Sequence, residues 1–271
     1  MIKILVVGLP GDMATTFTKH ALKESEFDII NFSIAGNYCD IEKYDVDDRC
    51  FQLIKSNDKT RIDKLFDEYK PKIIVDYTKP AAVEQNIDLY CSKETSFVMG
   101  TTGVVIDRIS DKIIESDINA VISTNMGKQI VALQSMLKYA ANNFPNCFKD
   151  YTLQVKESHQ NNKLDTSGTA RVMVGYFKQL GIDFDERDIE KIRNPKEQIK
   201  LGVPQKYLEG HGWHTYSLTS EDKTVHIEIT HNINGRDIYA KGTIDSIFFL
   251  DDKINKGVCG KIFSMIDVLG K

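Results

Sequence analysis

The sequence predicts an α/β fold in two parts: a parallel sheet with crossover helices, then an α+β part built on a mostly antiparallel sheet. Three observations carry this. Short apolar runs alternate with amphipathic stretches through the first half. A glycine-bearing turn directly follows the first run. After about residue 125 the pattern changes to a long helix followed by segments that alternate apolar with polar residues.

The apolar runs are IKILVV at 2–7, FDIINFSIA at 27–35, KIIVDY at 72–77, SFVMG at 96–100 and NAVIST at 119–124. Runs of this length and uniformity suit strands buried on both faces. TRIDKLFDEY and AAVEQNIDLYC, on either side of the third run, carry apolar residues at helical spacing. Beyond residue 125, IVALQSMLKYAANNF reads as a long helix, YTLQVKES as a strand, and TARVMVGYFKQLG as a helix stopped by Gly181. GWHTYSLTS follows as a strand, and KTVHIEITHNI and GRDIYA alternate as an antiparallel pair. The tail from KGTIDSIFFLDDKI to SMIDVLG reads as helical and is expected to return to the first part.

Composition narrows the function classes. With 41% hydrophobic and 27% charged residues in 271, the chain can bury a sizeable core. A net charge of -4 gives no pull toward nucleic acid or an anionic membrane. No apolar run reaches the roughly 18 residues of a spanning helix, and the N-terminus lacks the features of an export signal. The five cysteines form no CxxC pair, and their odd number argues against a disulfide framework. Reduced thiols and a cytoplasmic location are expected. No metal is expected either, and His211, His214, His226 and His231, without ligand-like spacing, read as packing or surface residues.

The turn after the first strand, GLPGDMA, sets Gly8, Gly11, Asp12, Met13 and Ala14 immediately before a helical TTFTKHAL. In a dinucleotide site such glycines allow a tight strand-to-helix turn and close approach of a pyrophosphate to the helix N-terminus. The spacing is GxxGxxA, and a plain strand-turn-helix is the simpler alternative. The second strand carries Ser33 and is followed by Asn37, with no acid to grip an adenosine ribose, so NADH and NADPH both stay open. A second loop, MGTTGV, offers Gly100, Thr101, Thr102 and Gly103 to the nicotinamide end, and STNMGKQ adds Asn125 and Lys128. Lys128 reads about equally well as a solvated charge. The expected domains are a Rossmann-like dinucleotide-binding part, residues 1–126 completed by 240–271, and a substrate-binding and oligomerisation part, residues 127–239.

Residues 157–170, ESHQNNKLDTSGTA, gather His159, Lys163, Asp165, Ser167, Gly168 and Thr169 into one connection that opens a helix. An imidazole titrates near working pH, and helix N–H groups attract carboxylates. A polar loop with an ordinary N-cap is the bland alternative. Together these residues suit a small molecule carrying carboxylates.

GxxGxxA, GTTG, TNMGKQ and ESHQNNKLDTSGTA occur in one order at one overall length, with HNINGRDIYAKGT and MIDVLG after them. That order resembles the dihydrodipicolinate reductase (4-hydroxy-tetrahydrodipicolinate reductase) family of lysine and diaminopimelate biosynthesis, in its plant-type branch. The resemblance implies hydride delivery from NADPH or NADH to C4 of a cyclic imine dicarboxylate, then protonation of the neighbouring carbon. It implies His159 and Lys163 as catalytic, and Ser167, Gly168 and Thr169 as holding a carboxylate. Gln160 stands where the family has a second His, and the Pro before the Ser is missing, Thr166 taking its place. Arg236 would bind substrate or brace the sheet, and a homodimer or homotetramer is implied. The competing expectations are another two-domain nicotinamide dehydrogenase of amino or oxo acids, such as an aspartate dehydrogenase, and a non-catalytic nucleotide-binding protein.

Overall fold

A computed structural model describes residues 1–103 and 105–270; Val104, in the MGTTGV segment, and Lys271 lie outside the described residues. The chain divides into two compact units, Met1–Lys128 with Asp237–Lys271, and Gln129–Arg236.

The chain enters the first unit through β1 (Ile2–Val7), α1 (Asp12–Ala21), β2 (Phe27–Ala35), β3 (Lys43–Val46), β4 (Arg49–Lys55) and α2 (Lys59–Tyr69). It continues through β5 (Ile73–Asp76), α3 (Val83–Ser92), β6 (Ser96–Met99), α4 (Ser110–Glu115) and β7 (Ala120–Ile122). Helix α5 (Lys128–Asn143) then opens the second unit, which holds β8 (Tyr151–His159), α6 (Gly168–Gln179), β9 (Glu190–Ile192), α7 (Pro195–Leu201), β10 (His211–Ser220) and β11 (His226–Asn234). The first unit is completed by α8 (Asp237–Asn255), β12 (Ile262–Phe263) and α9 (Met265–Leu269).

The sheet of the first unit runs β12-β7-β6-β5-β1-β2-β4-β3, parallel except for β3, which pairs antiparallel with β4 at one edge. From β1 the chain steps to β2 on one side, then returns to β5 on the other side of β1. This reversal is the switch point of a doubly wound sheet, where the strand ends leave a crevice for ligands. Ile4, Leu5 and Val6 of β1 are fully buried because both faces are covered. Leu5, Val7, Ile74 and Phe97 pack with α2 and α3 residues such as Leu65 and Tyr90 in one cluster. On the other side α1 contacts α8, and α8 contacts β6 and β7. Each such buried side chain contributes about 1.5–3 kcal/mol.

In the second unit the order is β11-β10-β8-β9. β10 pairs antiparallel with β8 and β11, and β9 parallel with β8. Side chains alternate as a half-covered sheet demands: Leu153 and Val155 face a core with Met173 and Phe177 of α6, while Thr152, Gln154 and Lys156 are exposed. The same parity carries Glu157 and His159 to the core side at the end of β8, so a charge and an imidazole stand where apolar residues would.

Several expectations are corrected. GRDIYA is not a strand: Gly235, at φ +80°, ends β11, and α8 begins at Asp237. The helix periodicity of DIYAKGTIDSIFFL, which buries Ala240, Ile244 and Ile247, wins over local alternation. The tail is not wholly helical, since Ile262 and Phe263 pair with β7. The hairpin of β3 and β4 went unassigned because KYDVDDRC is charged, as edge strands often are. The two units divide after Lys128 and after Arg236, the second of these at the start of α8.

Candidate active site

In the first unit, the turn from β1 to α1 needs its glycines. Gly8 sits at φ +114°, and a Cβ there would lie 2.5 Å from the Tyr77 carbonyl oxygen, across the switch point. Gly11 is the N-cap of α1 and supplies no side-chain cap bond. Asp12 is exposed and Met13 half-buried in the first turn. Ser33, by contrast, is fully buried, and its hydroxyl accepts from the Leu9 N–H at 3.3 Å. Its side chain braces the glycine turn, which corrects the expectation of a direct cofactor contact. Tyr38, 70% exposed just past β2, lies under Lys79 from the end of β5, with Nζ 4.2 Å from the ring centre.

The GTTG loop follows β6. Gly100 leaves room for the ring of Tyr77, and Gly103 sits at φ +79°. Thr101 is buried, and its hydroxyl donates to Asp76 and to the Thr78 carbonyl at 3.3 Å each, so that side chain is also turned inward. Thr102 and Gly103 are the exposed members. The hub of this region is Asp76, which the sequence did not reveal as special. It is fully buried and accepts from the Thr78 N–H at 2.8 Å, the Thr78 hydroxyl at 2.7 Å, Asn86 Nδ2 at 2.9 Å and the Tyr90 hydroxyl at 2.7 Å. Burial and the adjacent carboxylate push the Tyr90 hydroxyl pKa well up, so it stays a donor. After β7, Asn125 Oδ1 accepts from the Gly127 N–H at 2.8 Å, and Lys128 forms an ion pair with Asp245 of α8. Lys128 therefore already has an anionic partner within its own unit.

In the second unit, His159, Lys163 and the 167–169 segment come together around a pair that sequence reading missed. Glu157, with no exposed side-chain surface, forms an ion pair with Arg193, and its Oε2 accepts the Ser167 N–H at 3.0 Å. Arg193 also donates to the carbonyls of Lys163 at 2.6 Å, Glu157 at 3.2 Å and Asp165 at 3.3 Å. One guanidinium thus pins the 160–166 loop to β8. Gln198 adds a bond to the His159 carbonyl at 2.6 Å. Gln160 is half-buried at the start of the loop, and its carbonyl accepts from the Lys163 N–H at 3.0 Å.

Lys163 Nζ lies 2.8 Å from Asp165 Oδ1. Asp165 is a largely exposed partner, displaceable by another carboxylate, and the Lys163 ammonium holds its pKa below the usual range. Ser167 is the N-cap of α6 without a side-chain cap bond, Gly168 is exposed with open space around it, and Thr169 is half-buried. The α6 N-terminus therefore presents backbone N–H groups for an anion. Arg236 ends the second unit beside Gly210.

His159 Nδ1 is 3.1 Å from the His211 carbonyl, and its Nε2 is 3.3 Å from Nε2 of His214. Burial, with the charges of Arg193 and Lys163, lowers its pKa to about 4. Burial lowers His231 to about 4 as well, and takes buried His214 well down. Sequence reading set His214 aside; its strand parity, shared with Tyr216 and Leu218, was the available signal. Glu157, His159 and His214 bring potential metal-ligand atoms within 4.8 Å of one another. The carboxylate is already engaged by Arg193 and Ser167, so the trio reads as a hydrogen-bonded network in which a cation is present as the guanidinium.

These imidazoles set a pH dependence. The unfolded chain takes up protons near pH 6.5, whereas folded His159 and His231 resist until about pH 4. Between those values the unfolded state binds more protons, so stability falls as pH falls. Trp213, the sole tryptophan, lies in β10 beside His214. Its emission in urea titrations is expected to show a loss of about 1–3 kcal/mol from pH 7 to pH 5; unchanged midpoints would contradict this.

The two units define a class: a protein joining a Rossmann-type sheet to an α+β unit that carries a helix N-terminus without a side-chain cap bond, an imidazole and an ammonium. Sequence models described as "Dihydrodipicolinate reductase, N-terminus" and "Dihydrodipicolinate reductase, C-terminus" match residues 2–126 and 129–269. The chain belongs to the dihydrodipicolinate reductase family. It is 40% identical over 273 residues to 4-hydroxy-tetrahydrodipicolinate reductase 1, chloroplastic, of Arabidopsis thaliana, covering 99% of this chain and 78% of that protein. It is 46% identical over 209 residues to reductase 2, chloroplastic, of the same plant, covering 77% of this chain and 60% of that one. The dipicolinate-bound dihydrodipicolinate reductase of Paenisporosarcina sp. TG-14 shares the fold, with a TM-score of 0.67 at 15% identity and 97% of both chains covered.

Proposed function

We propose that the chain reduces 4-hydroxy-tetrahydrodipicolinate to tetrahydrodipicolinate with NADPH or NADH. The observation that carries this reading is the convergence of His159, Lys163 and the open N-terminus of α6 around the Glu157–Arg193 pair. The turn at Gly8 and Gly11 would hold the cofactor pyrophosphate, with Thr102 and Gly103 toward the nicotinamide end. A bound reduced nicotinamide supplies the hydride that the substrate takes up at C4.

The residues of the second unit do the rest. Lys163 exchanges Asp165 for one substrate carboxylate, and the Ser167 hydroxyl with the backbone N–H groups of Gly168 and Thr169 holds the other, the Ser167 N–H staying on Glu157. His159, neutral at rest, gains basicity when two carboxylates arrive among Lys163 and Arg193, because an anion nearby favours the imidazolium. The imidazolium formed by taking a proton from solvent at Nε2 then delivers that proton to the carbon beside C4 and returns to the neutral form. A carboxylate at position 160 contacts an amide, which donates a hydrogen bond without adding charge.

Loss of nicotinamide absorbance only when freshly generated dihydrodipicolinate precursor is supplied tests the reading. Equal oxidation with simple oxo acids, or none with the precursor, would overturn it. The lack of an acid after β2, with Lys79 and Tyr38 close by, supports room for a 2′-phosphate. Lys79→Ala is expected to raise the KM for NADPH about five-fold while leaving that for NADH within about two-fold. Equal effects on both would remove Lys79 from cofactor discrimination. The chloroplastic relatives leave a plastid-like compartment as open to this chain as the cytosol.

A further inference from the structure

Both ring nitrogens of His159 are engaged within the second unit, and the donors and acceptors around them fix where each proton lies. The Tyr207 carbonyl, 3.1 Å from His211 Nδ1, can only accept, so His211 carries its proton on Nδ1. Its Nε2 is then an acceptor for the Ser158 hydroxyl at 2.8 Å. The His211 carbonyl likewise can only accept, so His159 is protonated on Nδ1 and bears a lone pair on Nε2. The 3.3 Å contact between the two Nε2 atoms then requires His214 to be the donor. Glu157 Oε2, at 3.9 Å from His214 Nε2, is too far to compete for that proton.

Strand register explains why these groups meet. His159 lies opposite Gly212, and His214 opposite Glu157, so His214 is the diagonal neighbour of His159 on the same face. Gly212 leaves the space that the ring fills, since a Cβ there would lie 3.0 Å from His159 Cε1. A short piece of β10 thus supplies a carbonyl on one side of the imidazole, an absent side chain beneath it, and an N–H on the other. His214 is 4% exposed, and its Nδ1 has no hydrogen-bond partner among the described residues. The ring is therefore held by its Nε2 contact and by packing against His231, whose centroid is 4.7 Å away.

We propose that His214 is a positioning residue for catalysis: its Nε2–H holds the resting His159 ring with its lone pair directed inward, and this bond opens when His159 turns to the substrate. The inference rests on the reading of His159 as the acid-base group. When His159 becomes an imidazolium, its Nε2 turns from acceptor to donor and no longer suits the His214 N–H. Protonation and release of the ring are then one event, and the freed N–H is the one aimed at substrate. No proton passes from His214, which would be left as an imidazolate.

Three variants and one spectrum test this. His214→Leu removes the donor and is expected to lower kcat about ten-fold while KM stays within about three-fold. His214→Gln, whose amide N–H reaches about the same place, is expected to restore most of the loss. Gly212→Ala leaves His214 intact but pushes the His159 ring, and is expected to show the same split between kcat and KM. In ligand-free protein, the 15N resonance of His159 Nε2 is expected to move toward that of an unbonded imidazole nitrogen in His214→Leu. Near-UV circular dichroism establishes that each variant is folded. If His214→Leu and Gly212→Ala keep kcat within about two-fold, or the 15N resonance does not move, the proposal fails. His159→Gln run alongside separates the two failures: an inactive His159→Gln beside normal His214 and Gly212 variants sinks the positioning role alone, whereas an active His159→Gln sinks the underlying assignment and this role with it.

Discussion

Arg193→Ala is expected to destabilise the protein by about 3–5 kcal/mol and to abolish most turnover. Its partner Glu157 has no exposed side-chain surface, so removal of the guanidinium leaves a buried carboxylate held by the Ser167 N–H alone among the described hydrogen-bond donors. An unpaired buried charge costs more than the pair contributed, which is why breaking one side is severe. Three carbonyls of β8 and the 160–166 loop lose a donor at the same time. The functional loss follows from the structural one, because the loop that carries Lys163 is no longer tied down. Adding Glu157→Gln removes the stranded charge and is expected to recover a substantial part of the stability, though little of the activity. Urea unfolding followed by Trp213 emission measures both variants. An Arg193→Ala protein as stable as the parent would show that the pair is solvated.

Asp76→Ala is the counterpart in the first unit. The carboxylate is buried with no ion-pair partner among the described residues and is held by hydroxyl, amide and backbone donors from Thr78, Asn86, Tyr90 and Thr101. Truncation leaves Tyr90 and Asn86 donors buried without their acceptor, at about 2–4 kcal/mol in all. On the proposed reading the effect would extend to the cofactor, because Thr101 is fixed by the same oxygen that orients Thr78. The KM for the reduced nicotinamide is expected to rise about ten-fold, with a smaller change for the dicarboxylate. A variant with unaltered cofactor KM would mean that the GTTG loop holds its shape without Asp76.

What was legible in the sequence was the part written locally. Apolar runs such as IKILVV are strands because nothing polar interrupts them, and the demand for Gly8 is a property of one tight turn. The 157–169 segment was legible for the same reason, since His159, Lys163 and Ser167 lie close along the chain. Arg193 and His214 were not, because each reaches the site from a residue far along the chain, and only the pairing of β8 with β9 and β10 brings them in. Nothing in RNP or GWHT announces a guanidinium aimed at Glu157 or an imidazole aimed at His159. Ser33 and Thr101 were placed at the right strand ends but assigned the wrong direction, as a hydroxyl serves a backbone N–H or a buried carboxylate as readily as a ligand. Alternation misled at GRDIYA, where six residues could not show the helical period that the following dozen impose.

The most direct test is steady-state kinetics of His159→Gln with freshly generated substrate and each reduced nicotinamide. A fall in kcat of about 100-fold or more, with substrate KM within about three-fold, is the predicted result. Turnover within about two-fold of the parent would contradict the assignment of acid-base chemistry to this imidazole.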